Sequence, residues 1–204
     1  MAVKTERFVD PFDAPRNRSD AWRMGMRVFV VVVVVLFVAA ILGYLVVRLA
    51  DRVGGEWRPA NSPGLPPMLL LSTALAGAVS ASLQVCVGAA RRGRTRRCAH
   101  AAAAALASAL LFLASQSAAW WTMLRQHLAI DSSLYAWTFY VLTALHALHV
   151  LGGLPSLALV AVRARRGRYG PGADDGPVLA AMYWHALGAI WLALYATLWL
   201  GSLR

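Results

Sequence analysis

Three histidines embedded in apolar sequence are the residues of this chain best suited to chemistry. His146 and His149 stand three positions apart in SLYAWTFYVLTALHALHVLGG, and His185 follows in VLAAMYWHALGAIW. At about 100° per residue, Tyr135, Phe139, Leu142, His146, His149 and Gly153 fall on one face of a helix, so both imidazoles point the same way one turn apart. Two paired imidazoles can ligate a metal or a haem. Metal pairs more often sit four positions apart, a third ligand is usually needed, and no carboxylate or thiol lies close in sequence. The competing reading is structural: a polar group in hydrocarbon must find a partner, and each imidazole would hydrogen-bond to a neighbouring helix. We expect His146, His149 and His185 to act as such interhelical polar contacts, supported by Tyr183, Trp184 and Gln116. No residue is expected to be catalytic, to bind a cofactor or to ligate a metal.

The elements that carry these residues are membrane helices. The chain has 204 residues, 59% of them hydrophobic and only 14% charged, with eight Trp. Apolar runs of about 18 residues or more are long enough to cross a bilayer core of roughly 30 Å. Five such runs occur, at about 24–47, 66–90, 99–121, 134–162 and 178–202. The expected fold is therefore all-α, a polytopic bundle of five transmembrane helices forming one membrane domain over 24–204, after a polar tail at 1–23 read as irregular. The first run is too long for a signal-peptide core and no small-residue cleavage site follows before Arg48, so it is read as a retained helix.

Basic residues set the expected orientation. Fifteen of the twenty Lys and Arg fall in the tail to Arg27, in segment 91–97 and in segment 163–168, against five on the alternate connections. That asymmetry places the N-terminus in the cytoplasm and the C-terminus outside. The net charge of +11 is thereby a topology signal, with the basic loops beside anionic lipid headgroups rather than on nucleic acid. The connection 48–67, rich in Gly and Pro, is expected outside, with Trp57 at the interface. Pro66 and Pro67 can open the second helix, where a missing N–H costs nothing. Rows of small residues, Ser72, Ala76, Ser80 and Thr73, Gly77, Ala81, allow close helix approach in lipid. The Ala-rich third helix is expected between other helices. Pro155 is expected to kink or loosen the fourth. Cys86 and Cys98 both fall at the cytoplasmic end of a hairpin, where thiols stay reduced, and are read as packing residues.

The run FYVLTALHALHVLGG, then a basic hairpin, then MYWHALGAIW, resembles the last two helices of subunit III of the haem-copper terminal oxidases, where the pattern is approximately FxxxTGxHGxHVxxG and YWHFVDxVW. The SQSAAW segment from Ser115 to Trp120, the Pro66-Pro67 start of helix 2 and the frame of helix 1 match in the same order, over roughly 22–202. The resemblance implies the short five-helix bacterial form, in the bacterial inner (cytoplasmic) membrane. It also implies a non-catalytic role with no cofactor of its own: haems and copper belong to partner subunits I and II, and the chain packs on subunit I, binds phospholipid, and supports aerobic electron transport and proton translocation. Departures are as informative. The family's helix-1 Glu falls within the valine run, near Val33; Ala119 stands where the family carries Glu, Gly188 where it carries Asp, and Ala144 and Ala147 where it carries Gly. A subunit-III-like accessory of a nitric oxide reductase is the neighbouring reading. An independent membrane protein holding haem or metal on His146, His149 and His185 is the remote one.

Overall fold

The computed structural model describes residues 15–54, 65–126 and 133–202. Five helices follow in order: α1 Pro15–Gly54, α2 Met68–Arg91, α3 Thr95–Arg125, α4 Leu134–Arg165 and α5 Asp175–Ser202. Each contains a stretch long and apolar enough to cross a membrane. The chain is thus an all-helical, multi-pass membrane protein. The expected positions of Trp57 and of the tail before Pro15 lie outside the described residues.

All the helices except α2 outrun the apolar segments that announce them. Helix α1 begins at Pro15, inside the stretch read from sequence as an irregular tail. The reason is local: proline is accepted in the first turn of a helix, and no second proline or run of glycines interrupts the segment from there to the valine run. Arg23, in this extension, forms an ion pair of 3.0 Å with Asp175 at the start of α5. Helix α4 starts on Ser133, whose hydroxyl accepts a 3.1 Å hydrogen bond from the Ala136 N–H, the usual way to satisfy an orphan donor of the first turn. It continues through Pro155 to Arg165 without interruption.

Both arginine-rich ends close the same way. After α2, the Gly93 N–H donates to Ala90 O and the Arg94 N–H to Ala89 O; after α4, the Gly167 N–H donates to Ala164 O and the Arg168 N–H to Arg163 O. Gly93 and Gly167 each take φ of +66°, the left-handed conformation that this type of C-terminal cap requires and that glycine adopts without penalty. The repeated Arg-Arg-Gly triplet is therefore a stop signal as well as a charge cluster. The two hairpins then meet, with Arg91 Nε 2.8 Å from Asp174 Oδ2.

Helices α2, α3, α4 and α5 form a ring in sequence order, closed by contact of α5 with α2, while α1 lies outside it against α5 and, more lightly, α4. Helix α3 sits between α2 and α4 as its alanine content requires, with Ala102, Ala105, Ala109 and Ala119 fully buried. Across that seam Ser72 and Ser115 hydroxyls are 2.6 Å apart. Trp191 Nε1 donates to Thr73 Oγ1 at 3.0 Å, joining α5 to α2. Trp120 Nε1 donates to Thr143 Oγ1 at 3.0 Å, joining α3 to α4. The valine run of α1 is largely uncovered: Val28, Val31, Val35, Val38 and Leu42 are exposed, and Val33, Phe37 and Tyr44 face inward.

Candidate functional site

The histidine face of α4 is assembled as its periodicity predicts. Tyr135, Phe139, Leu142, His146 and Gly153 are buried, and His149, at the edge of the stripe, is half-buried. His146 is 2% exposed. Its ring is enclosed by Phe37 of α1 at 5.9 Å between centroids, Phe112 of α3 at 5.6 Å and Trp191 of α5 at 5.2 Å. Its contacts to neighbouring helices are thus ring contacts, and Nδ1 has no hydrogen-bond partner in the protein. The cavity beside it measures about 10 Å³, room for a single water at most.

His149 behaves differently. Its Nδ1 lies 2.8 Å from the Leu145 carbonyl one turn back, so its ring hydrogen bond runs within α4. A carbonyl only accepts, which assigns the proton to Nδ1. The interhelical bond at this residue is made by the backbone: Tyr183 Oη donates to the His149 carbonyl at 2.8 Å, tying α5 to α4. Gly153, one turn on, permits the approach. A Cβ there would lie 2.6 Å from Tyr183 Cε1 and 3.1 Å from Trp184 Cζ2.

His185 faces away from both. Its Nε2 lies 3.4 Å from Gln84 Oε1 of α2, an exposed and long contact. Along the α5 row that carries it, His185 is half-buried while Leu192 and Trp199 are exposed, and the row with Trp184, Trp191, Leu194 and Leu198 fills the core. Trp184 is buried, with Nε1 lacking a protein partner, and Gln116, 2% exposed, makes no hydrogen bond to any of the histidines. The three imidazoles do not converge. Among the described residues no three of His, Cys, Asp and Glu come together as a metal could use them.

A larger cavity, about 670 Å³, opens between α1, α4 and α5 on the other side of His149. Phe29, His149, Ser156, Tyr183, Arg163 and Tyr169 border it, with Arg163 and Tyr169 at the arginine-rich end. Tyr169, in the turn between α4 and α5, is buried; burial pushes its phenol above the ordinary tyrosine value, and the nearby Arg163 charge works against that shift. Sequence reasoning missed the enclosing rings of Phe37, Phe112 and Trp191, the threonine acceptors Thr73 and Thr143, and this cavity. The Trp and Thr residues on different helices were visible, but their pairing depends on how the helices turn about their axes.

Residues 16–202 match the family described as cytochrome c oxidase subunit III. The chain belongs to that family. Similar curated proteins include the cytochrome c oxidase subunit 3 of Corynebacterium diphtheriae, 24% identical over 91% of each chain, and that of Gallus gallus, 29% identical over 88% of this chain and 70% of the relative. Within this subunit III family member, the motif residues of α4 and α5 form a helix-to-helix joint. Val33 and Ala119 are buried and apolar.

Proposed function

We propose that this chain is the non-catalytic third subunit of a haem-copper terminal oxidase in a bacterial cytoplasmic membrane. It packs against subunit I in a complex that also holds subunit II, and those partners carry the haems and copper. The observation that carries this reading is the use made of the motif residues: Tyr183 bonds the His149 backbone, Gly153 receives the rings of Tyr183 and Trp184, and His146 is sealed among aromatic rings. These motif residues hold α4 to its neighbours, and the three imidazoles do not converge on a reaction centre. The N-terminus is cytoplasmic, by the charge asymmetry of the loops. The uncovered apolar faces of α1 and of the outer row of α5 are surfaces for lipid and for subunit I.

Phospholipid occupies the cavity between α1, α4 and α5. Its walls suit acyl chains, and Arg163 at the basic end suits a phosphate. With no carboxylate at Val33 or Ala119, this chain supports proton uptake through packing and lipid rather than by relaying protons on its own side chains. The test is to purify the chain from a host lacking the partner subunits. A folded, colourless protein without stoichiometric haem or copper is expected. A stoichiometric haem band that disappears in His149→Ala would overturn the reading in favour of a bis-histidine haem protein.

A further inference from the structure

Cys86, near the end of α2, and Cys98, in the first turn of α3, face each other across the arginine-rich hairpin with their Sγ atoms 2.8 Å apart. Both are free thiols, and they are 0% and 1% exposed. The separation is fixed from both sides. Helix α2 ends in the glycine cap at Gly93, and α3 starts directly at Thr95, where the Cys98 N–H already donates to the Arg94 carbonyl at 3.0 Å. Ala89, Ala90, Ala101 and Ala102, nearby in sequence on the same two helices, are small and buried.

Two uses of such a pair can be distinguished by distance. A metal held between two thiolates in line would need its sulfurs roughly 4.6 Å apart, twice a metal–sulfur bond of about 2.3 Å, and no third ligand is near among the described residues. A disulfide needs about 2.05 Å, which the present 2.8 Å separation reaches by a closure of about 0.75 Å. This separation favours a bond between the sulfurs over a two-thiolate metal site.

We propose that Cys86 and Cys98 are a redox-modification site: a dithiol that a small hydroperoxide converts into an intrachain disulfide stapling α2 to α3. One sulfur, as thiolate, attacks a peroxide oxygen; the O–O bond breaks, the sulfur becomes a sulfenic acid, and the departing oxygen takes up the thiol proton, leaving as water when the oxidant is hydrogen peroxide. The second sulfur, as thiolate, attacks the first; the S–S bond forms, the S–O bond breaks, and hydroxide leaves with the second proton as water. Two electrons pass from the sulfur pair to the peroxide, and a thiol reductant returns the dithiol. Burial restricts the site to small oxidants and makes the bond, once formed, slow to reduce with bulky reagents. The staple would fix the arginine-rich end of the hairpin next to the Arg91–Asp174 ion pair.

The sequence between the cysteines provides the assay, because trypsin cuts at the arginines of segment 91–97 and separates the two halves of the hairpin. The full-length protein, in detergent and after hydrogen peroxide, is alkylated while denatured and digested without reductant. The expected result, from the monomer band of a non-reducing gel, is a linked species of two peptides, one containing Cys86 and one beginning at Cys98, that splits on reduction and is absent in Cys98→Ser. Two separately alkylated peptides after peroxide treatment of protein that remains folded would overturn the proposal. So would disulfides found only in a dimer band.

Discussion

Gly153→Ala is the substitution from which the packing of α4 against α5 can be weighed. The added methyl would meet Tyr183 Cε1 at 2.6 Å and Trp184 Cζ2 at 3.1 Å. Trp184 is walled in by the core, whereas Tyr183 borders the large cavity and can swing into it. That escape breaks the 2.8 Å bond from Tyr183 Oη to the His149 carbonyl and disturbs the stacking of Tyr183 on Phe29, 5.8 Å between centroids. Inserting a methyl group into a packed site costs about 1–3 kcal/mol, and an interhelical hydrogen bond in a membrane protein averages about 0.6 kcal/mol. Against this, alanine is favoured over glycine in a helix by about 0.8–1.0 kcal/mol. The net expectation is a loss of about 0.6–2.8 kcal/mol. Gly152→Ala is the internal control, since a Cβ there meets nothing within 4 Å, and it carries the same helix-propensity gain. Reversible unfolding in mixed micelles, followed by the fluorescence of the chain's eight tryptophans, gives the comparison. The difference between the two variants, from which propensity cancels, should be about 1.5–3.5 kcal/mol in favour of Gly152→Ala. Equal stabilities, or a more stable Gly153→Ala, would refute the close approach of α5 to α4 at this glycine.

Other consequences are open to direct measurement. A double-mutant cycle of Trp191→Phe with Thr73→Val should give a coupling of about 0.6 kcal/mol and no more than about 1.7 kcal/mol, reporting the indole-to-hydroxyl bond between α5 and α2; zero coupling would mean that the bond does not form in the membrane. For Arg91→Ala with Asp174→Ala, a coupling of about 0.2–1 kcal/mol is expected, because Arg91 is largely exposed, and it should shrink in high salt. Tyr169 has a raised phenol pKa in the folded chain, so the stability it contributes is fully present below the ordinary tyrosine value of about 10 and is lost as pH rises through the higher folded value. Thermal unfolding of wild type should therefore fall more steeply above about pH 10 than that of Tyr169→Phe, and parallel curves would contradict the burial of that phenol.

The five helices were legible because an apolar run that spans a bilayer is a long, strong signal, and the His146, His149 and Tyr183-Trp184-His185 constellation was legible because it is dense and specific. What was not legible follows from two physical limits. Periodicity gives the angle between residues on one helix but not the rotation of that helix about its axis: His146 and His149 share a stripe, yet one is sealed by Phe37, Phe112 and Trp191 and the other only half-buried. On α5, for the same reason, Leu192 and Trp199 of the histidine row are exposed while Trp184 and Trp191 are buried. Hydropathy, in turn, marks where side chains leave hydrocarbon, not where backbone hydrogen bonding stops. Polar turns at the start of α1 and the arginines closing α2 and α4 remain helical, and the ion pairs of Asp174 and Asp175 exist only once the hairpins have folded against their neighbours.

The measurement that tests the central claim most directly is affinity purification of the tagged chain from its native membranes in mild detergent. Mass spectrometry would identify its partners, and a reduced-minus-oxidised spectrum would register their haem. The account predicts that a haem-bearing subunit I and a copper-bearing subunit II purify with it in constant ratio and that the haem signal belongs to them. Recovery of a nitric oxide reductase instead, or of the chain alone and colourless from membranes that contain an assembled oxidase, would contradict it.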